Sequence, residues 1–277
     1  MMFEGEKTMS IRLIAMDLDG TLLNSAKVVS ERNMRAIEAA QACGVYVTIA
    51  TGRMFISAEF FGKRIMANAP IICCNGGMVQ AVGADEPVFE SHLSEDAFTE
   101  LMELSEERNW YMQWYIGRDI YTDKFRPEYF VSYKSMKDAF VVKEVGKGGW
   151  RKYRHNVIQC VARDLDGRIE RVTHEIEQRF GGRIRAQQNT GYSVDLTPPE
   201  VNKALGISKL ADYLGVRQDE VMAMGDGDND LSMIRWAGTG VAMKNGIDEA
   251  KALSDYVAPD NDDDGVGRAI EELVLRA

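Results

Sequence analysis

Asp17-Leu18-Asp19-Gly20-Thr21 follows residues 11–16, an apolar run that reads as a buried strand. Two carboxylates therefore stand two residues apart just past a strand end, beside a Gly-Thr turn. A core strand has no need of them. An aspartyl nucleophile that works with a metal and a nearby acid does.

The chain around this stretch alternates strand and helix. Ser30 is placed to N-cap a helix running to about residue 42, with Gly44 just past its end. Residues 45–50 form a second apolar strand leading into Thr51-Gly52-Arg53, a helix is expected over 57–66, and a third strand over 70–74 ends at Asn75-Gly76-Gly77. The same grammar returns near the end. Residues 203–214 are helical with Gly215 closing them, and 221–224 form a short strand followed by Gly225-Asp226-Gly227-Asp228-Asn229-Asp230. A helix over 233–236, strands over 241–243 and 256–258, and a helix over 265–275 complete the pattern. Strands alternating with helices imply an α/β fold, a Rossmann-like doubly wound parallel sheet covered on both faces.

The middle has a different texture. An amphipathic helix is expected over 94–108 and strands over 110–115 and 119–122 around a Gly117 turn. Further strands over 155–161, 183–187 and 192–196 surround a helix over 167–180. Aromatic-rich strands of this kind predict an α+β unit over 86–190, inserted between core segments 1–85 and 191–277.

The bulk properties narrow the function. A chain of 277 residues is long enough for two domains, and its formal net charge of -10 disfavours nucleic acid as a partner. No apolar run approaches the roughly 20 residues that span a bilayer. Residues 1–10 carry Glu4, Glu6 and Lys7 and lack an apolar signal core; they read as a tail, with Met9 an alternative start. The four cysteines, Cys43, Cys73, Cys74 and Cys160, form no C-x-x-C pair and read as buried free thiols of a cytoplasmic protein. His92, His155 and His174 lack metal-ligand spacing and read as surface or structural groups.

Asp17 and Asp19, Thr51, and Asp226, Asn229 and Asp230 each sit at the C-terminal end of an apolar strand, the edge where parallel sheets bind ligands. Lys203 opens the helix before the Asp226 strand and can reach the same edge. Four carboxylates there repel one another unless a cation neutralises them, and an all-oxygen set with an incomplete shell suits Mg²⁺.

On these residues the chain resembles a haloacid dehalogenase superfamily phosphatase of the Cof type. The first motif matches Asp17 to Leu22, the second Thr51-Gly52-Arg53, the third Lys203, and the fourth Gly225 to Asp230; Asn75-Gly76, Asp255-Tyr256-Val257 and Asp264-Gly265-Val266 also fit. The resemblance covers both ends of the chain. Over the middle it extends only to an insertion of the size of a C2 cap. It implies that Asp17 attacks phosphorus, and that Asp19 protonates the leaving group and then deprotonates water. Thr51, Gly52 and Lys203 would hold phosphate oxygens with Asn229 nearby, and Arg53 and Asn75 would border the substrate. Mg²⁺ would be held by Asp17, the Asp19 backbone carbonyl and Asp226, with Asp230 orienting water. An acid must arrive protonated, and crowding among the carboxylates is the expected means of keeping the proton on Asp19. The second Asp favours phosphoryl chemistry over dehalogenation, because halide needs no proton.

The implied function is a Mg²⁺-dependent phosphatase acting on a small phosphorylated metabolite. A phosphomutase and a non-catalytic phosphometabolite-binding protein are the alternatives. The stretch Asp260-x-Asp262-x-Asp264-Gly265 with Glu271 satisfies an EF-hand pattern, but a strand and Pro259 precede it where a helix should enter, so it reads as a solvated acidic loop. Substrate identity and oligomeric state are not written in the sequence.

Overall fold

The computed structural model describes residues 11–130 and 141–276, and the expected tail over 1–10 lies outside them. The strands are β1 (Leu13–Met16), β2 (Tyr46–Ile49), β3 (Ile71–Cys73), β4 (Met78–Gln80), β5 (Phe89–Glu90), β6 (Tyr111–Ile116), β7 (Asp119–Thr122), β8 (Val142–Glu144), β9 (Gln159–Arg163), β10 (Arg185–Thr190), β11 (Ser193–Thr197), β12 (Val221–Gly225), β13 (Thr239–Met243) and β14 (Tyr256–Ala258). The helices are α1 (Glu31–Ala42), α2 (Phe55–Arg64), α3 (Glu95–Arg108), α4 (Ile169–Phe180), α5 (Lys203–Leu214), α6 (Leu231–Trp236), α7 (Asp248–Leu253) and α8 (Gly265–Leu273).

The central sheet has the order β14-β13-β12-β1-β2 and is parallel throughout. Its strands are almost wholly apolar because both faces are covered. Ile14, Met16, Met222 and Met224 pack with Ile37 of α1 and Ile270 of α8. Their neighbours Leu13, Ala15, Val221 and Ala223 face the other way, onto Ile207 and Leu210 of α5. The chain leaves β1 toward β2 on one side and later returns to pair β12 on the other. The strand order therefore reverses at β1, and the crevice beyond its carboxyl end is where such sheets bind ligands.

The third expected strand does not extend this sheet. β3 joins β4 and β5 in a small antiparallel sheet, tied to the β2 edge through an isolated Ala50–Ile72 bridge. The sequence pattern missed β4, β5 and β8, which have three, two and three residues. It also missed the six-residue α7. The expected strand from 155 begins instead at Gln159, after Asn156 takes a left-handed φ of 57°.

The middle segment forms a six-stranded sheet, β10-β11-β9-β6-β7-β8, mostly antiparallel, with β7 and β8 parallel. Alternation divides its faces. Met112, Trp114, Cys160, Ala162, Val194 and Leu196 pack against Phe98 and Leu101 of α3 and Ile176 of α4. The other face turns toward the central sheet, and Tyr115 and Val161 join the cluster that contains Cys74 and Met78. The expected junction at 86 lies in the loop between β4 and β5, and that at 190 falls at the end of β10, within the β10–β11 hairpin. We infer that the inserted unit begins after Glu90 and ends at Thr197.

Candidate active site

Asp17 is the first residue past β1, and its backbone N–H donates to the Met224 carbonyl at 2.9 Å. Its carboxylate thus stands at the gap between β1 and β12. The loop then tightens at Gly20, whose φ is +87°. A Cβ there would lie 2.4 Å from Asp226 Oδ2, so glycine is required on both conformational and steric grounds. Thr21 Oγ1 donates to Asp226 Oδ1 at 2.6 Å, which ties the first loop to the fourth.

Lys203 is the first residue of α5, whose N-cap Asn202 accepts from the Leu205 N–H. Its side chain is fully buried, and its Nζ lies 2.5 Å from both Asp17 Oδ1 and Asp230 Oδ1. The other oxygen of Asp230 accepts the backbone N–H groups of Asp226 and Gly227, each at 2.9 Å. Asp17, Asp226 and Asp230 each offer one carboxylate oxygen within 4.8 Å of the others. This all-oxygen set fits a hard divalent cation such as Mg²⁺.

Burial, with the charges of Asp230 and Asp226, raises Asp17 to about 8 against the pull of Lys203. Burial likewise raises Asp226 to about 6, with the Thr21 hydrogen bond opposing it and Asp230 and Asp19 adding to it. Lys203 is raised, because the charges of Asp17 and Asp230 outweigh its burial. The crowded acids therefore strain against full ionisation, which a cation would relieve.

A pH dependence follows with a definite sign. Folded-state values near 8 and 6 lie above the ordinary 3.8, so the native metal-free protein holds protons that the unfolded chain has released. Stability from these groups is fully present below about pH 4 and is lost as pH rises through the folded values. Melting temperatures measured in chelator should fall between about pH 5 and pH 9 by more than those measured with Mg²⁺, because cation binding favours the ionised carboxylates.

Asp19 lies apart from this cluster. Arg53 grips its carboxylate with Nε at 2.7 Å and Nη2 at 2.8 Å, and Lys27 Nζ approaches to 2.9 Å. Burial pushes Asp19 upward, but the hydrogen bonds and charges of Arg53 and Lys27 prevail and hold it at about 2. The expected crowding that would keep its proton is therefore overturned in this conformation: the side chain faces cations instead of its fellow carboxylates.

The remaining expected residues gather around the same crevice. Thr51 is buried, and its Oγ1 accepts the Arg53 N–H at 3.2 Å; the N-cap of α2 is Met54, without a side-chain cap. Gly52 is pressed against Asn75, whose Oδ1 would lie 2.8 Å from an added Cβ. Asn75 takes a left-handed φ of 55° and accepts from Asn229 Nδ2 at 3.2 Å. Its own Nδ2 donates to Asp195 Oδ2 on β11 at 2.7 Å. Asn75 thus links the fourth loop to the inserted sheet.

A cavity of about 1010 Å³ opens over these groups, lined on one side by Asp17, Asp19, Thr51, Arg53 and Asp226. The opposite wall comes from the inserted unit: Tyr115, Gln159, Val161, Gln187 and Asp195. Gln187 also hydrogen-bonds Asp228, giving that exposed carboxylate a partner across the crevice. Sequence reading placed Tyr115 within an aromatic-rich strand and singled out none of the other wall residues. Their signal is clearest in β11, where polar and apolar residues alternate; Gln159, Gln187 and Asp195 share one face of the sheet, and Cys160, Ala186 and Leu196 the other.

The EF-hand lookalike braces the first loop. Asp262 accepts the Ser25 N–H at 2.7 Å and its hydroxyl at 2.6 Å, while Glu271 is engaged by Arg32. Cys73, Cys74 and Cys160 are buried free thiols, whereas Cys43 is exposed, because it is the C-cap of α1 and lies past that helix's packed face. No described helix is long and apolar enough to cross a membrane.

The family model for haloacid dehalogenase-like hydrolases matches residues 14–270. A 5-amino-6-(5-phospho-D-ribitylamino)uracil phosphatase of Bacillus subtilis, YitU, is 30% identical over 267 residues, covering 94% of this chain and 96% of its own. YbjI of Escherichia coli, a phosphatase of the same name, is 30% identical over 283 residues, covering 96% and 97%. The crystal structure of a haloacid dehalogenase-like hydrolase from Bacteroides thetaiotaomicron superposes with a TM-score of 0.84 at 30% identity, covering 95% of this chain and 100% of that one.

Proposed function

The chain belongs to the haloacid dehalogenase-like hydrolases, and we propose that it is a Mg²⁺-dependent phosphatase acting on a small phosphorylated metabolite, a sugar phosphate or similar phosphomonoester, through a phospho-aspartate on Asp17. The observation that carries this is the setting of Asp17: it lines the cavity, hydrogen-bonds a fully buried lysine, and lies within reach of two further carboxylates. Relatives named as phosphatases support it.

Each residue has a definite task. Asp17 Oδ attacks phosphorus, and the ester P–O bond breaks. The departing oxygen takes a proton from Asp19. Water then attacks the phospho-aspartate, giving its proton to Asp19 and releasing inorganic phosphate and free Asp17. Lys203 and Thr51 offset and orient the phosphate oxygens. Asp17, Asp226 and the Asp19 carbonyl would hold Mg²⁺, with Asp230 beside them. The chemistry the cation supplies when bound is neutralisation of charge between carboxylate and phosphate. An Asp19 that carries a proton must first part from Arg53, so substrate binding has to break that pair.

The test is a panel of phosphorylated metabolites that includes sugar phosphates and the phosphoribitylaminouracil acted on by the named relatives. Each is assayed for free phosphate with Mg²⁺ and with chelator. Mg²⁺-dependent phosphate release from at least one compound is expected. Isomerised sugar phosphate without free phosphate would make it a mutase, and no turnover across the panel would exclude catalysis.

A further inference from the structure

The wall opposite Asp17 is polar where packing alone would make it apolar. Gln113 on β6 and Gln159 on β9 stand on the face of the six-stranded sheet that turns toward the central sheet. Their neighbours Trp114 and Cys160 point the other way into an aromatic core. Both glutamines are 1% exposed. Gln159 lines the cavity, and its Oε1 is buried with no hydrogen-bond partner among the described residues. Both amide atoms of Gln113 are in the same condition.

An unpaired buried amide costs free energy that a leucine in its place would not, so such groups call for a partner. A donor carried by a ligand in the cavity is one such partner for Gln159 Oε1, beside the unpaired Gln113 Nε2 diagonal to it on the same face. Asp195 sits one strand over and diagonal to Gln159 on the same face, since Leu196 pairs with Cys160. An amide oxygen accepts a hydrogen bond from a hydroxyl.

We propose that Gln159 is a specificity-determining residue that accepts a hydrogen bond from a hydroxyl of a neutral polyol or sugar leaving group. The assignment rests on the phosphatase function proposed above. It makes the leaving group a hydrogen-bond donor at this spot.

The experiment compares D-sorbitol 6-phosphate with n-hexyl phosphate, a substrate of equal chain length without hydroxyls. Wild-type protein should favour the sorbitol ester in kcat/KM by at least about tenfold, and Gln159→Leu should cut that preference by about tenfold. Gln159→Met, of similar length, serves in its place should the leucine variant fail to fold. Several results overturn the assignment while leaving the phosphatase function standing. They are a wild-type enzyme that does not favour the sorbitol ester, a variant that keeps the preference, and an equal loss on both esters, the mark of a packing defect. A wild-type enzyme inactive on these and on the whole panel defeats the phosphatase function itself.

Discussion

Asp17→Asn should abolish phosphate release, by roughly 10⁴-fold or more, while leaving a folded protein of undiminished stability. The loss follows from the chemistry: an amide is not a nucleophile toward phosphorus, and no other described carboxylate is placed to substitute. Asp230 is locked by two backbone N–H groups and Lys203, and Asp226 is held by Thr21. The retained stability follows from burial. Asp17 is already pushed to about 8 by desolvation and its acidic neighbours, so the metal-free native site favours an uncharged group there at neutral pH. Asparagine supplies one of nearly the same shape, and its carbonyl still accepts from Lys203. The melting temperature in chelator should therefore equal or exceed that of wild type, with the gain larger at about pH 9 than at about pH 5, where the wild-type carboxyl is itself protonated. The stabilisation conferred by added Mg²⁺ should shrink, because one carboxylate of the cluster is gone. A variant that retained turnover would remove Asp17 from the nucleophile's role. A variant that unfolded would show that its charge, and not its neutral form, is what the buried site requires.

The sequence made the aspartate-bearing half of this candidate site legible and hid the half that faces it. Asp17, Thr51, Lys203 and Asp226 each follow a strand or open a helix that the pattern located to within a few residues. A parallel sheet brings such ends to one edge by topology alone. Ser30 and Gly215 marked helix ends through capping chemistry that needs no tertiary partner. The orientation of Asp19 was not legible, because it depends on Arg53 arriving from another loop. Strands as short as Phe89–Glu90 have too few residues to establish a period. The Gln159 wall was hidden for a different reason. Alternation shows that one face of a strand is polar, but not whether that face meets solvent or a cavity. Only the docking of the inserted sheet over the central one makes a surface-like pattern into a buried polar wall.

Lys203→Met should be the most damaging single change for both folding and catalysis. The side chain is fully buried, and its Nζ bridges Asp17 and Asp230 at 2.5 Å each. Methionine matches its length but leaves two buried carboxylates facing each other without a cation. Breaking a buried ionic network by removing one partner costs about 3–5 kcal/mol. The damage must carry a pH signature. With the ammonium gone, Asp17 loses the charge that pulls its pKa down, so its protonated form is stabilised further and the native state holds that proton over a wider pH range. Stability should then fall more steeply with rising pH than in wild type and recover below about pH 5. Added Mg²⁺ should restore part of it by supplying the missing positive charge, but not turnover, because the donor that held the phosphate oxygens is lost. Lys203→Arg tests the same geometry from the other side. It keeps the charge, yet a guanidinium is too large for a site with no exposed surface, so it should also lose activity. Chemical denaturation across pH, with and without Mg²⁺, reads both variants. A methionine variant with wild-type stability at about pH 8 in chelator would mean that the buried site needs no cation from Lys203, and that Lys203 serves the phosphate alone.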